Sequence, residues 1–123
     1  MAQSERDRTR VAFPRDELPA GSRRVVCSGR REVLVLNVDG DLHALFNRCP
    51  HRQASFEAGP VRSTRLVGGV GELEYDRERK VLLCPWHRYE FELYTGVCPI
   101  EPERYRVARY RVEEEGDEIA VYI

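Results

Sequence analysis

The chain has 123 residues, 20 basic and 21 acidic, for a formal net charge of −1. That length suits one domain with a single core and leaves no room for a second, catalytic domain, while the balanced charge argues against nucleic acid as a partner. No apolar run is long enough to span a bilayer, and the charged start from Met1 to Arg8 has no apolar segment behind it, so a soluble, cytoplasmic protein with no membrane contact is expected.

Taken in chain order, strand signals dominate. The first dozen residues read as a mobile arm or an edge strand. Residues 24–27, 32–38 and 42–46 are short runs rich in β-branched or aromatic side chains, punctuated by Ser28-Gly29 and Asp39-Gly40. Asp39-Gly40 predicts a two-residue hairpin of type I′, a turn that needs φ > 0 at both central positions. Next comes Cys49-Pro50-His51, and after a long interval Cys84-Pro85-Trp86-His87. Between them lie 32 residues, Arg52 to Leu83, in which Gly68-Gly69-Val70-Gly71 reads as a tightly turned or flexible stretch, and Leu73-Glu74-Tyr75 and residues 80–83 read as strands. The C-terminal part alternates over residues 105–112, turns at Glu115-Gly116-Asp117 and returns over residues 119–123 as a hairpin. No stretch carries a sustained helical period with caps, so the predicted class is all-β with short meandering strands.

The chemistry lies in the two Cys/His loops, each offering one thiolate and one imidazole in a chain with four cysteines and three histidines. Such a set is a metal site. A C2H2 zinc finger brings its two cysteines together on one turn and its two histidines on one helix. One of each per loop suits instead a two-iron cluster, with both thiolates on one iron and both imidazoles on the other. A structural zinc is the alternative.

The stretches C-P-H-R and C-P-W-H, followed by Tyr89-Glu90-Phe91-Glu92-Leu93-Tyr94-Thr95-Gly96, resemble the second half of Rieske-type iron–sulfur domains. The run from Leu42 to Cys49 is similar to the strand leading into their first loop, and the resemblance extends from about Val25 to the C-terminus. It implies an antiparallel β-sandwich with a small cluster-binding subdomain made of two ligand loops. Residues 1–123 would form one such domain, with its cluster part at about 47–98 and, relative to compact members, an insertion at about 60–79. One [2Fe–2S] cluster is implied, with Cys49 and Cys84 on the inner iron and His51 and His87 on the outer, near-surface iron. Large members of this group carry a mononuclear iron in a second domain; here His43 is the only histidine left, so no substrate site of its own is expected. The implied role is that of a soluble ferredoxin-like carrier passing single electrons from a reductase to an oxygenase or other redox acceptor. The alternative is a small non-catalytic subunit of a larger reductase or oxygenase complex.

Several positions depart from the family pattern. Many members have glycine where Gln53 and Arg88 stand, so the loops here either take another geometry or hold strain. The extra cysteine pair that bridges the loops of high-potential members is missing from the neighbourhood of Gln53, Ala54 and Trp86. Tyr89 and Phe91 stand where those members place Ser and Tyr donors to the cluster sulfurs, which predicts a lower potential. Trp86 is expected to pack under the cluster, Cys27 and Cys98 to be buried free thiols, and His43 to be a partly exposed or hydrogen-bonded strand residue. Arg48, Arg52 and Arg88 flank the ligands, either as solvated charges or as docking cations for an acidic partner.

Overall fold

The computed structural model describes residues 8–50, 53–63, 80–86 and 89–123. Among these residues nine strands follow one another: β1 Arg10–Pro14, β2 Arg23–Ser28, β3 Arg31–Val38, β4 Asp41–Phe46, β5 Val61–Ser63, β6 Lys80–Leu83, β7 Glu90–Glu92, β8 Arg111–Glu115 and β9 Glu118–Tyr122. The only described helical element is a single 3-10 turn at Arg15–Glu17. The strands form three antiparallel sheets with orders β1-β9-β8, β2-β3-β4 and β5-β6-β7, as the all-β expectation requires. The chain divides into two compact units, one of Met1–Asn47 with Ala108–Ile123 and one of Arg48–Val107. No helix among the described residues is long and apolar enough to cross a membrane.

In the first unit, β3 and β4 meet at the Asp39-Gly40 turn. Both residues have positive φ, 54° and 98°, and Val38 pairs with Asp41, which fulfils the type I′ expectation. Asn37 braces this corner. Its side-chain oxygen accepts from the Gly40 N–H at 2.9 Å, and its amide nitrogen donates to the Leu18 carbonyl at 2.9 Å. One core gathers Phe13, Leu18, Val26, Val33, Val35, Ala44, Ile119, Val121 and Ile123. Leu34, Leu36 and Leu45 are also fully buried, so β3 is covered on both faces, as its unbroken run Val33-Leu34-Val35-Leu36 demands. Each such side chain contributes about 1.5–3 kcal/mol by leaving water.

The N-terminal segment is an edge strand: β1 pairs with β9, Arg10 opposite Tyr122 and Pro14 opposite Glu118. Pro14, which lacks an N–H, sits at the last position of the strand, where a missing donor costs least. The C-terminal hairpin forms as expected at Gly116-Asp117, but its first strand begins only at Arg111. Residues 105–110 alternate without belonging to one ladder, because they change partners: Arg106 bridges Val97, and Arg109 bridges Leu45. Two other expectations change here. Cys27 is exposed on β2, since the pleat turns it away from the buried Val26, and His43 on β4 is 2% exposed rather than partly open.

On the surface of the β1-β9-β8 sheet, the Arg10 guanidinium donates to Glu115 at 3.0 Å and to Glu118 at 3.3 Å. The Tyr122 hydroxyl also donates to Glu115, and the Arg111 guanidinium lies 4.7 Å from the Tyr122 ring centre. The Tyr122 hydroxyl, then Arg10, hold the Glu115 carboxyl below its ordinary value. A depressed carboxyl stabilises the fold above its unfolded pKa, and that stabilisation is lost as pH falls through the folded value. Thermal melts of Glu115→Gln should therefore show their full deficit against the parent at neutral pH, with the two converging as the pH drops below the ordinary carboxylate range.

Candidate metal centre

Both candidate cysteine ligands lie in the second unit. Cys49 and Cys84 are each 0% exposed and neither is in a disulfide. His51 and His87, with Arg52, Arg88 and residues 64–79, lie outside the described residues, so most of the expected insertion does too. Its last expected strand is β6.

The first loop is wound tightly around Cys49. The Cys49 N–H donates to the Ala54 carbonyl at 2.8 Å, and the Gln53 N–H returns to the Cys49 carbonyl at 2.6 Å. Closing so short a circuit forces Gln53 to φ 62°, the left-handed region. Gln53 therefore holds a left-handed backbone that glycine would adopt freely, and accepts the strain. Left-handed backbone costs a side-chain-bearing residue about 1–2 kcal/mol, and glycine's greater unfolded freedom offsets about 0.5–1 of that. Gln53→Gly should thus raise stability by about 0.5–1 kcal/mol in chemical denaturation, whereas Gln53→Val should lower it.

Beyond that turn the chain packs. Phe56 is fully buried and meets Phe91 of β7 edge to face, ring centres 5.5 Å apart at 78°. The Gly59 N–H donates to the Phe56 carbonyl at 2.9 Å, and the Leu83 N–H to the Pro60 carbonyl at 2.9 Å, so the end of the first loop lies along β6 just before Cys84. The second loop closes when the Cys84 N–H donates to the Tyr89 carbonyl at 2.9 Å. β7 then returns beside β6, with Leu83 opposite Glu90 and Leu82 opposite Phe91. Arg62 on β5 and Glu90 on β7 form an ion pair at 2.5 Å across the strand between them.

Around this frame the other expectations sort themselves. Cys98 is a buried free thiol, its N–H donating to the Tyr105 carbonyl at 3.2 Å. The Tyr89 ring packs edge to face on Tyr105 at 5.2 Å, and desolvation, reinforced by Glu101, pushes its phenol above the ordinary value. Phe91, where a hydroxyl donor would stand, is fully buried and has none to offer. Trp86 does not pack under the loop as expected. It is 64% exposed, next to the exposed Pro85, because the turn that buries Cys84 points the following residues outward. Phe56 and Gly59 also belong to this frame, and the Gly59-Pro60 pair, a strong turn signal, is the mark they leave in the sequence.

Among the described residues no three His, Cys, Asp or Glu side chains converge to hold a metal. Cys49 and Cys84 are two buried thiols, the soft kind of donor that such a site would use, and the other two expected ligands, His51 and His87, lie outside the described residues. Histidines follow the two cysteines by two and three positions in sequence. That donor chemistry fits a two-iron cluster with mixed sulfur and nitrogen ligation, and fits poorly with a site of hard oxygen donors.

Comparison with known proteins agrees. A human Rieske domain-containing protein is 30% identical over 81 residues, which is 66% of this chain and 44% of that relative, so the chain spans less than half of the relative's length. A protein described as the small subunit of an NADH-dependent nitrite reductase from Mycobacterium tuberculosis has the same fold at TM-score 0.73 and 23% identity, over 94% of this chain and 96% of that one. The ferredoxin of carbazole 1,9a-dioxygenase from Nocardioides aromaticivorans superposes at TM-score 0.66 and 24% identity, over 93% and 95% of the two chains. Since residues 9–111 match the Rieske [2Fe-2S] domain model, the chain belongs to that family, whose members bind a [2Fe–2S] cluster.

Proposed function

We propose that Cys49, His51, Cys84 and His87 hold one [2Fe–2S] cluster and that the chain passes single electrons from a reductase to an oxygenase or other redox acceptor. The observation that carries this reading is the pair of fully buried thiols on two loops bound to one frame, beside an outward-facing Pro85-Trp86 edge. When bound, the cluster supplies a one-electron store. The chain's own residues do the rest: Cys49 and Cys84 anchor it away from water, while Pro85 and Trp86 offer a partner apolar surface next to His87. In this reading the whole chain, 1–123, works as one Rieske-type domain and is a carrier without a substrate site of its own. None of the four cysteines is in a disulfide, which suits the reducing cytoplasm.

A second reading, a small non-catalytic subunit within a larger reductase, draws support from the likeness to the nitrite reductase small subunit. Copurification separates the two, because a carrier is isolated alone and a subunit arrives with its large partner. Cluster content tests what both share. Anaerobically purified protein should contain iron and acid-labile sulfide in equal amounts, whereas zinc without sulfide would refute the proposal. Voltammetry should place the potential in the lower part of the range from about −150 to about +300 mV, because buried Phe91 donates no hydrogen bond and no cysteine pair bridges the loops. A value near the top of that range would contradict this account of the loops.

A further inference from the structure

We propose that Gly59 is a positioning residue that sets the spacing between the two cysteine-bearing loops, an inference that rests on Cys49 and Cys84 being ligands. Gly59 is buried and does not occupy the left-handed region, so its torsion angles would admit a side chain. Space does not. A Cβ at this position would lie 2.1 Å from the Leu83 carbonyl oxygen and 3.3 Å from both the Leu83 carbonyl carbon and the Phe56 oxygen. All three are backbone atoms, so no side chain can rotate away to make room.

Leu83 immediately precedes Cys84, and both its N–H and its carbonyl face the Gly59-Pro60 segment, the N–H being bonded to the Pro60 oxygen at 2.9 Å. On the other side, the Gly59 N–H ties to Phe56, whose ring is seated on Phe91. From Phe56 the chain runs back two residues to Ala54, which accepts the Cys49 N–H. Gly59 thus lies, without room for a side chain, on a continuous path of backbone contacts from one cysteine to the other. Real Cβ atoms do not come within 3.0 Å of such a neighbour, so an added methyl would push the Leu83 peptide by about 0.9 Å. Metal–ligand bonds tolerate only about 0.2 Å. The displacement is several times that tolerance, and it acts one residue from Cys84.

The test compares the parent with Gly59→Ala, Phe56→Leu and Gly21→Ala. Gly21 lies in the other unit, has φ 86° and has no neighbour within 4 Å of a Cβ, so its alanine variant strains the backbone without touching the loops. Each protein is purified without oxygen and assayed for iron, acid-labile sulfide, the electron paramagnetic resonance spectrum of the reduced form, midpoint potential and melting temperature. Gly59→Ala should lose its cluster to a chelator about 10-fold more readily, and the cluster that remains should show shifted g-values and a shifted potential. Phe56→Leu, which slackens the same path, should shift the potential as well. Gly21→Ala should melt lower with the parent's spectrum and potential. A Gly59→Ala protein with unchanged g-values and potential, whatever its melting temperature, overturns the proposal. If that variant does not fold, Phe56→Leu decides, and the parent's spectrum and potential in it likewise overturn the proposal. Absence of sulfide in the parent itself refutes the ligand reading and the inference with it.

Discussion

Cys49→Ser and Cys84→Ser are each expected to yield a colourless protein without acid-labile sulfide, and His51→Ala and His87→Ala to lose most or all of their iron. Both cysteines are fully closed from solvent, so a serine there replaces a soft thiolate by a harder, far less acidic hydroxyl that is a much poorer iron ligand and finds no water. Loss of the cluster also removes binding energy that stabilises the surrounding loops, so melting temperature and colour should fall together. Three controls separate ligation from packing. Cys27→Ser changes an exposed thiol and should keep both colour and stability. Cys98→Ser buries a hydroxyl in place of a thiol and should melt lower while keeping its colour. His43→Ala, on β4, should likewise keep its visible spectrum. A cluster that survives in Cys84→Ser would remove that residue from the ligand set.

Trp86→Ala should slow electron transfer to the physiological partner about 30-fold without altering the absorption spectrum. Large aromatic side chains at the centre of an interface commonly contribute about 2 kcal/mol or more, which is the same factor expressed as a rate or an affinity. The indole is mostly open to water and adjoins a candidate ligand, so its removal leaves the interior untouched. Stopped-flow transfer at several partner concentrations reads the effect as a loss in the bimolecular constant. Charge reversal at Arg52 together with Arg88 should instead flatten the salt dependence, because encounter forces between exposed charges are screened beyond roughly 10 Å at 0.1 M salt. If Trp86→Ala transfers electrons as fast as the parent, docking uses another face.

Features encoded by neighbours in sequence were the legible ones. Asp39-Gly40 specifies its turn through two positive φ values, and the strands on either side follow from β-branched runs within a few residues. The mixed order of cysteine and histidine marks the loops without any knowledge of the fold. What could not be read depends on partners far along the chain. The alternation of residues 105–112 looks like one strand, yet those residues are divided between Val97, Leu45 and β9, a competition that periodicity cannot resolve. Trp86 looked like a core residue because tryptophan is apolar, but the six-residue closure from Cys84 to Tyr89 leaves it on the outside of a turn. The strain at Gln53 was foreseeable as a choice between two outcomes, and only the 2.6 Å return to the Cys49 carbonyl selects the strained one.

The segment Arg48–Val107 leaves and re-enters the first unit at adjoining backbone, for Leu45 bridges Arg109 and the Phe46 N–H donates to the Ala108 carbonyl at 2.9 Å. It is a cassette spliced into a β host at a zipped doorway. Because its two ends are already held together, changing its length alters only its own closure entropy, by about 0.6 kcal/mol for each doubling of a flexible loop. The register of the host strands is indifferent to that change. Length changes between β5 and β6 are therefore expected to leave the β1-β9-β8 and β2-β3-β4 sheets paired as they are, which circular dichroism of such variants would check.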